Sequence, residues 1–176
     1  MKTIFCTILS LFIVTIVCAQ KIAINVVDKF TGCRIIETSV LKTSRPNVDY
    51  KLRALNDTLY ICASIKNQSI RVKENDQSKL YLLIEKSDPL ILLGVACDAH
   101  EHEHRSGVHW GYGFSTGSSK ILTDCEFMYQ VPNEMFALLC VNDITDIRIS
   151  VNDDNIDSQV DAFIAKRFRK LFNLMK

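Results

Sequence analysis

All four histidines of this 176-residue chain lie in one short stretch, and their spacing could hold a metal ion. His100, His102 and His104 alternate with two glutamates, and His109 follows five positions later. In an extended segment, alternate side chains point to one face, so three imidazoles would line up. Imidazole nitrogens bind zinc and copper, and nearby carboxylates can orient the rings. We therefore predict a candidate Zn or Cu site at these four histidines.

Two other interpretations of the histidine-rich segment stay open. Residues 100–109 could form a solvated loop of mixed charge at the end of a hairpin, without any ligand. Clustered histidines also gain protons together below about pH 6.5, which is the behaviour of a pH sensor. All three interpretations place the histidines on a loop between two strands.

The residues that follow the histidines carry two further patterns. Residues 113–117 (G-F-S-T-G) match the G-x-S-x-G nucleophile elbow, but no helical pattern follows the serine and every histidine precedes it. We interpret the match as a glycine-rich turn and predict no catalytic residues, hence a protein that is not an enzyme. Trp110, Tyr112 and Phe114 alternate with glycines and form one aromatic face. This face either packs in the core or binds a ligand or protein partner.

The first nineteen residues have the layout of a secretory signal peptide. Lys2 precedes an apolar stretch over 4–17, and Val17 and Ala19 stand at the −3 and −1 positions of a cleavage site. The sequence therefore predicts a secreted, extracellular protein. Without Lys2 the chain holds as many basic as acidic residues, which gives no reason to expect nucleic acid as a partner.

An extracellular location gives meaning to the cysteines and to two sequons. Five cysteines remain after the signal peptide, so at most two disulfides form and one thiol is left over. Asn56 and Asn67 begin N-x-S/T sequons between apolar runs and are candidate glycosylation sites. The disulfide candidates are Cys33, Cys62, Cys97, Cys125 and Cys140.

Residues 20–156 are dominated by an alternation of apolar and polar side chains with period two. Ile22, Ile24 and Val26 are one example, and residues 135–141 are predicted as another strand. Short turns, such as the one at Asn56, separate these runs. The pattern predicts a mainly β domain, a single antiparallel β-barrel or sandwich.

The last segment, 157–176, changes to helical spacing and predicts an amphipathic α-helix packed on the β domain. Ser158 and Asp161 are spaced as a capping box at its start. Its basic residues could contact a membrane, but we expect the apolar face to cover the sheet. That face holds Val160, Phe163, Ile164, Phe168, Leu171, Phe172, Leu174 and Met175.

Residues 52–61 (L-R-A-L-N-D-T-L-Y-I) resemble an early strand pair of the interleukin-1-family trefoils. The resemblance covers these ten residues and implies a β-trefoil as an alternative fold, with a cytokine-like role. From the residues themselves, we predict a secreted, glycosylated binding protein for an extracellular protein partner or a small apolar ligand. The alternatives are a metal-binding protein using the histidines and a cytokine-like or membrane-active effector.

Overall fold

The computed structural model describes residues 21–43, 45, 47–68, 72, 77–85, 87–110 and 114–176, with backbone alone for residues 67, 68, 104–110 and 114–118. The predicted signal peptide, residues 1–19, lies outside these residues. The strands are β1 Ile22–Val27, β2 Arg34–Thr38, β3 Leu41–Lys42, β4 Val48–Leu55, β5 Thr58–Gln68, β6 Ser78–Ile84, β7 Leu90–Trp110, β8 Phe114–Val131, β9 Ile144–Val151 and β10 Asp154–Gln159. The helices are α1 Asn133–Val141 and α2 Ala162–Leu174.

Within the described residues, ten strands form one antiparallel sheet. Their order is β1-β2-β4-β5-β8-β7-β6-β9-β10, and β3 pairs with β4 beside this path. The prediction of a mainly β, antiparallel protein with a C-terminal helix is confirmed. The sheet is open, with β1 and β10 at its two ends, so neither the closed barrel nor the barrel-based β-trefoil describes it.

The sheet curls strongly around a core, although it does not close. Five strands separate β4 from β10 in the sheet order. The Arg45 guanidinium, just before β4, nevertheless donates to the carbonyl of Asp157 in β10 at 2.9 Å. The Tyr50 hydroxyl in β4 lies beside the Ser158 hydroxyl in β10. The right-handed twist that strands share accumulates over many strands, and here it brings the two halves of the sheet face to face.

The period-two pattern decides which side chains face the core. Val48, Tyr50 and Leu52 in β4 are each about fully buried, at 1% exposure, whereas Asp49 and Lys51 between them are half-buried on the other face. Strand β6 repeats the pattern with Leu80, Leu82 and Ile84, which are also buried. A shift of one residue in register would expose these sets to water, so the register is strongly specified.

Helix α2 fills the concave side of the sheet. It contacts β3 and β9, and the Phe168 ring meets the Tyr50 ring edge-on at 5.6 Å between centroids. The Phe172 ring meets Phe136 of α1 at 6.4 Å. Full burial of each aromatic ring stabilises the fold by roughly 1.5–3 kcal/mol. The helical side chains that face the core are Ile164, Ala165, Phe168, Leu171 and Phe172.

The start of α2 differs from the prediction. The helix begins at Ala162, and Asp161 is its N-cap, accepting from the backbone N–H groups of Phe163 and Ile164 at 2.9 and 2.8 Å. Residues 157–159, predicted as helix, belong to β10 instead. Ser158 lies opposite Ile147 of β9, and pairing with β9 outweighs the local capping pattern.

Residues 135–141, predicted as a strand, form most of α1. Periodicity does not separate a buried strand from a helix in so short an apolar run. Pro132 stands at the N-cap position, where its fixed φ and missing N–H cost the helix nothing. The helix packs on α2 and buries Leu139 and Cys140.

Strand β7 is 21 residues long and changes partner at Gly94. Residues 90–93 pair with β6, and pairing with β8 begins at Gly94, with a register shift before Ala96. A Cβ atom on Gly94 would lie 2.2 Å from Ser78 Oγ, so the backbones approach here as only glycine allows. Beyond this corner, β7 and β8 continue together as a hairpin.

The hairpin replaces the predicted histidine loop. Residues 100–109 are part of β7 and pair with residues 115–124 of β8. Ser115, predicted to lie in a turn, is opposite His109 in the ladder. Alternation of histidine with glutamate fits a strand as well as a loop, and pairing with residues 115–124 of β8 decided between them.

Candidate functional site

The described histidines share one face of the β7–β8 hairpin. His100 lies opposite Asp124 and His102 opposite Leu122, and both side chains are exposed. His100 Nε2 is 3.3 Å from Asp98 Oδ1, two residues away on the same face. Two of the three imidazoles expected to align in an extended segment, those of His100 and His102, therefore do so, on a strand instead of a loop.

A complete metal site is not assembled by the side chains that the structure describes. Among them, no group of three or more His, Cys, Asp or Glu residues could hold a metal ion. The side chains of His104 and His109 lie outside the described part of the chain. The zinc or copper site at His100, His102, His104 and His109 stays a prediction.

The aromatic residues lie at the far end of the hairpin. Trp110, the last residue of β7, pairs with Phe114, the first residue of β8. Their side chains, and all of Tyr112, lie outside the described residues. Their role in binding a ligand or partner stays a prediction.

Asn56, the first candidate glycosylation site, lies in the turn between β4 and β5. It is exposed and has a φ of 54°, a left-handed conformation that asparagine tolerates. Its Oδ1 accepts a hydrogen bond from the backbone N–H of Arg34 at 2.9 Å. The backbone of Asn67, the second candidate, lies in β5, and its side chain is outside the described set. Glycosylation stays a prediction at both positions.

The five cysteines in the described part of the chain form no disulfide with one another. Cys97 on β7 and Cys125 on β8 are diagonal neighbours, because Cys97 lies opposite Phe127 and Cys125 opposite Ala99. Burial raises the pKa of Cys125 to about 12 and that of Cys62 to about 11. These two thiols therefore stay protonated at neutral pH. The predicted disulfides stay predictions.

Ionic side chains cover the outer face of β4, β5 and β8. Glu37 pairs with Arg53 and, at 3.6 Å, with Lys51, and Glu126 pairs with Lys51 at 3.3 Å. The Cys62 thiol lies under this network and is fully buried. This half of the outer face follows the usual rule that the solvent side of an antiparallel sheet is polar.

The outer face of β6 and β7 departs from that rule. Leu93 is 61% exposed, Val95 53% and Ile91 47%, and Ile91 lies opposite Tyr81 of β6. These exposed apolar side chains share the face with Lys79 of β6, which lies opposite Leu93. We call this surface the outer apolar patch. It consists of Tyr81, Leu83, Pro89, Ile91, Leu93 and Val95.

The outer apolar patch was not predicted from the sequence, although one signal pointed to it. Residues 90–97 read L-I-L-L-G-V-A-C, a continuous apolar run instead of an alternation. Such a run means that both faces of the strand are apolar. Since Leu92 alone suffices to fill the core at this point, with 2% exposure, its neighbours Ile91 and Leu93 are left on the surface.

A groove of about 420 Å³ borders the patch. Tyr81, Leu83 and Pro89 line its apolar side. On the polar side, Arg148 and Asp157 form a two-point ion pair, with N–O distances of 2.6 and 2.9 Å. The hydrogen bond from Arg148 holds the pKa of Asp157 below its usual value, so the pair is charged at neutral pH. The surface thus combines an apolar centre with a fixed polar border.

This chain has no detectable similarity to known proteins. No protein-family model, no curated protein and no solved structure matches this chain. Among the described helices, none is both long enough and apolar enough to cross a bilayer.

Proposed function

We propose that this chain is a secreted, glycosylated, non-enzymatic protein that binds an extracellular protein partner. The outer apolar patch is the observation that carries the proposal. It joins exposed aliphatic side chains on two neighbouring strands, and it is bordered by the Arg148–Asp157 ion pair. An apolar centre with a polar rim is the usual anatomy of a protein interface.

The exposed aliphatic side chains of the patch supply free energy for binding. Leu93 keeps 61% of its surface in water, so covering it would recover about 1–2 kcal/mol, and Ile91 and Val95 add similar amounts. Association itself costs at least about 4 kcal/mol in lost freedom. The three side chains together recover about 3–6 kcal/mol, which is close to the lower bound of the association cost, so a partner must also form contacts with the polar rim to bind stably.

A protein partner is better supported than a small apolar ligand. A carrier needs space between the curled sheet and α2, but the rings of Tyr50, Phe127, Tyr129, Phe168 and Phe172 occupy that region and are each at most 2% exposed. Two of these rings are in direct edge contact.

The alternatives have narrower support. His100 and His102 share an exposed face, which favours a metal-binding role only if His104 or His109 completes the site. A membrane-active role for α2 would need the helix to leave the sheet, because Phe168, Leu171 and Phe172 face the core. The cytokine-like role rested on the trefoil, which the open sheet replaces.

The test is a binding screen with a matched pair of variants. The purified chain, labelled at its N-terminus after signal removal, is titrated against arrays of extracellular protein domains. We expect saturable binding that falls at least tenfold in Leu93→Lys. Val141→Lys is the control, since Val141 is 64% exposed but lies on α1, away from the patch.

Three outcomes would contradict this proposal. One is that the two lysine variants bind equally well. Another is binding that requires added Zn or Cu and is lost in His102→Ala, which would favour the metal-binding alternative. The third is saturable uptake of a fluorescent fatty acid by the unmodified chain, which would restore the carrier.

A further inference from the structure

The two ends of the sheet are protected very differently. Strand β10 carries Asp154 and Asp157, and the carbonyl of Asp157 already accepts a hydrogen bond from Arg45. Charges and side-chain caps of this kind keep edge strands from pairing with other chains. Strand β1, at the other end, has a register shift between Ile22 and Ile24, but the four residues beyond it, 24–27, pair regularly with β2 and carry no charge.

Strand β1 has the composition of a strand that pairs readily. Its sequence, I-A-I-N-V-V, contains no charged residue and no proline. Five of its six residues are exposed, and Val26 and Val27 keep 50% and 60% of their surface in water. An exposed, uncharged, apolar edge is a template for another strand.

The hydrogen-bond pattern fixes which main-chain groups of β1 point outward. Asp28 N donates to Cys33 O at 2.9 Å, so Asp28 belongs to a hydrogen-bonded pair with β2. Along an antiparallel ladder, hydrogen-bonded pairs alternate with pairs that share no hydrogen bond. The next residues of β1 that are hydrogen-bonded to β2 are therefore Val26 and Ile24. Asn25 and Val27 therefore direct their N–H and C=O groups away from β2.

We propose that β1 pairs with β1 of a second copy of this chain, antiparallel and about a two-fold axis. The register that places Asn25 opposite Val27 of the other copy joins all four outward groups of each strand. In this register Val26 faces Val26 of the other copy across the two-fold axis, and these two residues share no main-chain hydrogen bond. Because β1 is uncharged, no like charges oppose each other across the contact.

The same register accounts for an unusual exposed side chain. Phe30, in the turn after β1, is 99% exposed. Antiparallel pairing brings this turn to the end of the contact, where β1 of the other copy begins and where its register shifts between Ile22 and Ile24. Each Phe30 then gains an apolar neighbour, at both ends of the contact.

The size of the contact sets its strength. Two six-residue strands meeting edge to edge bury less than the ~1,200 Å² of a standard stable interface. The dimer is therefore weak and concentration-dependent. Its two outer apolar patches remain accessible, because they lie on β6 and β7.

Sedimentation velocity on the mature chain, from micromolar to sub-millimolar concentration, tests the dimer. We expect a monomer–dimer equilibrium that Val26→Lys weakens at least tenfold and Val40→Lys leaves unchanged. Val40 is a matched control, 49% exposed against 50% for Val26, and lies between β2 and β3. Thermal unfolding of both variants confirms that they are folded.

A cross-linking experiment tests the register. In Val26→Cys, the two introduced thiols, one from each copy, exchange with oxidised glutathione, forming one disulfide and two reduced glutathiones. We expect a reducible covalent dimer, several times more abundant than with Val40→Cys or the unmodified chain. Equal cross-linking in all three would overturn the register. A chain that is monomeric at every concentration would overturn the proposal and leave β1 to a strand of a different protein.

Discussion

The corner at Gly94 offers a prediction whose size follows from the structure. In Gly94→Ala, the new methyl group would lie 2.2 Å from Ser78 Oγ and 3.2 Å from the Ser78 carbonyl oxygen. Ser78 is buried at 3% exposure, so its hydroxyl has little room to rotate away. Either β6 and β7 separate, or the side chain of Ser78 leaves its position.

The expected cost is about 1–2 kcal/mol. Overpacking a well-packed site destabilises the fold by roughly 1–3 kcal/mol. Replacing glycine by alanine stabilises it by about 0.4–1 kcal/mol, because alanine lowers the conformational entropy of the unfolded chain. For a chain of this length, each kcal/mol corresponds to about 2–4 °C in Tm. Urea unfolding should show a lower midpoint with an unchanged m-value, because the same surface is exposed on unfolding.

A double-mutant cycle separates this clash from other effects. Ser78→Ala removes Oγ and leaves the Ser78 Cβ at 3.5 Å from the new methyl group, which is ordinary contact. We expect Gly94→Ala to cost less than half as much in the Ser78→Ala background. Costs that add within about 0.5 kcal/mol would refute the reasoning, because they would show that the two positions do not interact.

Three other predictions concern the helix and the thiols. Phe168→Ala should lower the free energy of unfolding by about 3–5 kcal/mol, measured in urea, because it removes a buried ring from its contact with Tyr50. Asp161→Ala should cost about 1 kcal/mol by losing the N-cap, and Asp161→Asn clearly less, since asparagine also caps; equal losses would contradict the capping role. With iodoacetamide at pH 8, Cys62 should react about a hundredfold more slowly in the folded chain than the same thiol does in the urea-unfolded chain, since a pKa raised from 9.0 to about 11 leaves about a hundredfold less thiolate. The Cys62 rate should rise with pH up to about 11, and fast labelling at pH 8, read by mass spectrometry, would contradict its burial.

The sequence alone determined the fold class and, in the central strands β4 and β6, which side chains face inward. Alternation in segments such as Val48, Tyr50 and Leu52 fixes which face of a strand is apolar, and water enforces that choice whatever the strand pairs with. The turn at Asn56 was predicted from local chemistry, since Asn56 and Asp57 are turn-forming residues and stand directly between two apolar runs. The signal for the C-terminal helix was also local, because its apolar side chains recur with the period of a helix.

The tertiary structure decided what depends on distant partners. Residues 157–159 became strand because Arg148 and Ile147 of β9 lie beside them, and residues 135–141 became helix because α2 offered a surface to pack on. The histidines lie on a strand because residues 115–124 pair with them.

The candidate site is the clearest case of this dependence. The apolar run 90–97 is visible in the sequence, but its exposure is not. Ile91 and Leu93 face water because β7 bends at Gly94 and no other described element covers their side of the sheet. A side chain's periodicity is set by its own strand, whereas its burial is set by whatever the rest of the chain places against it.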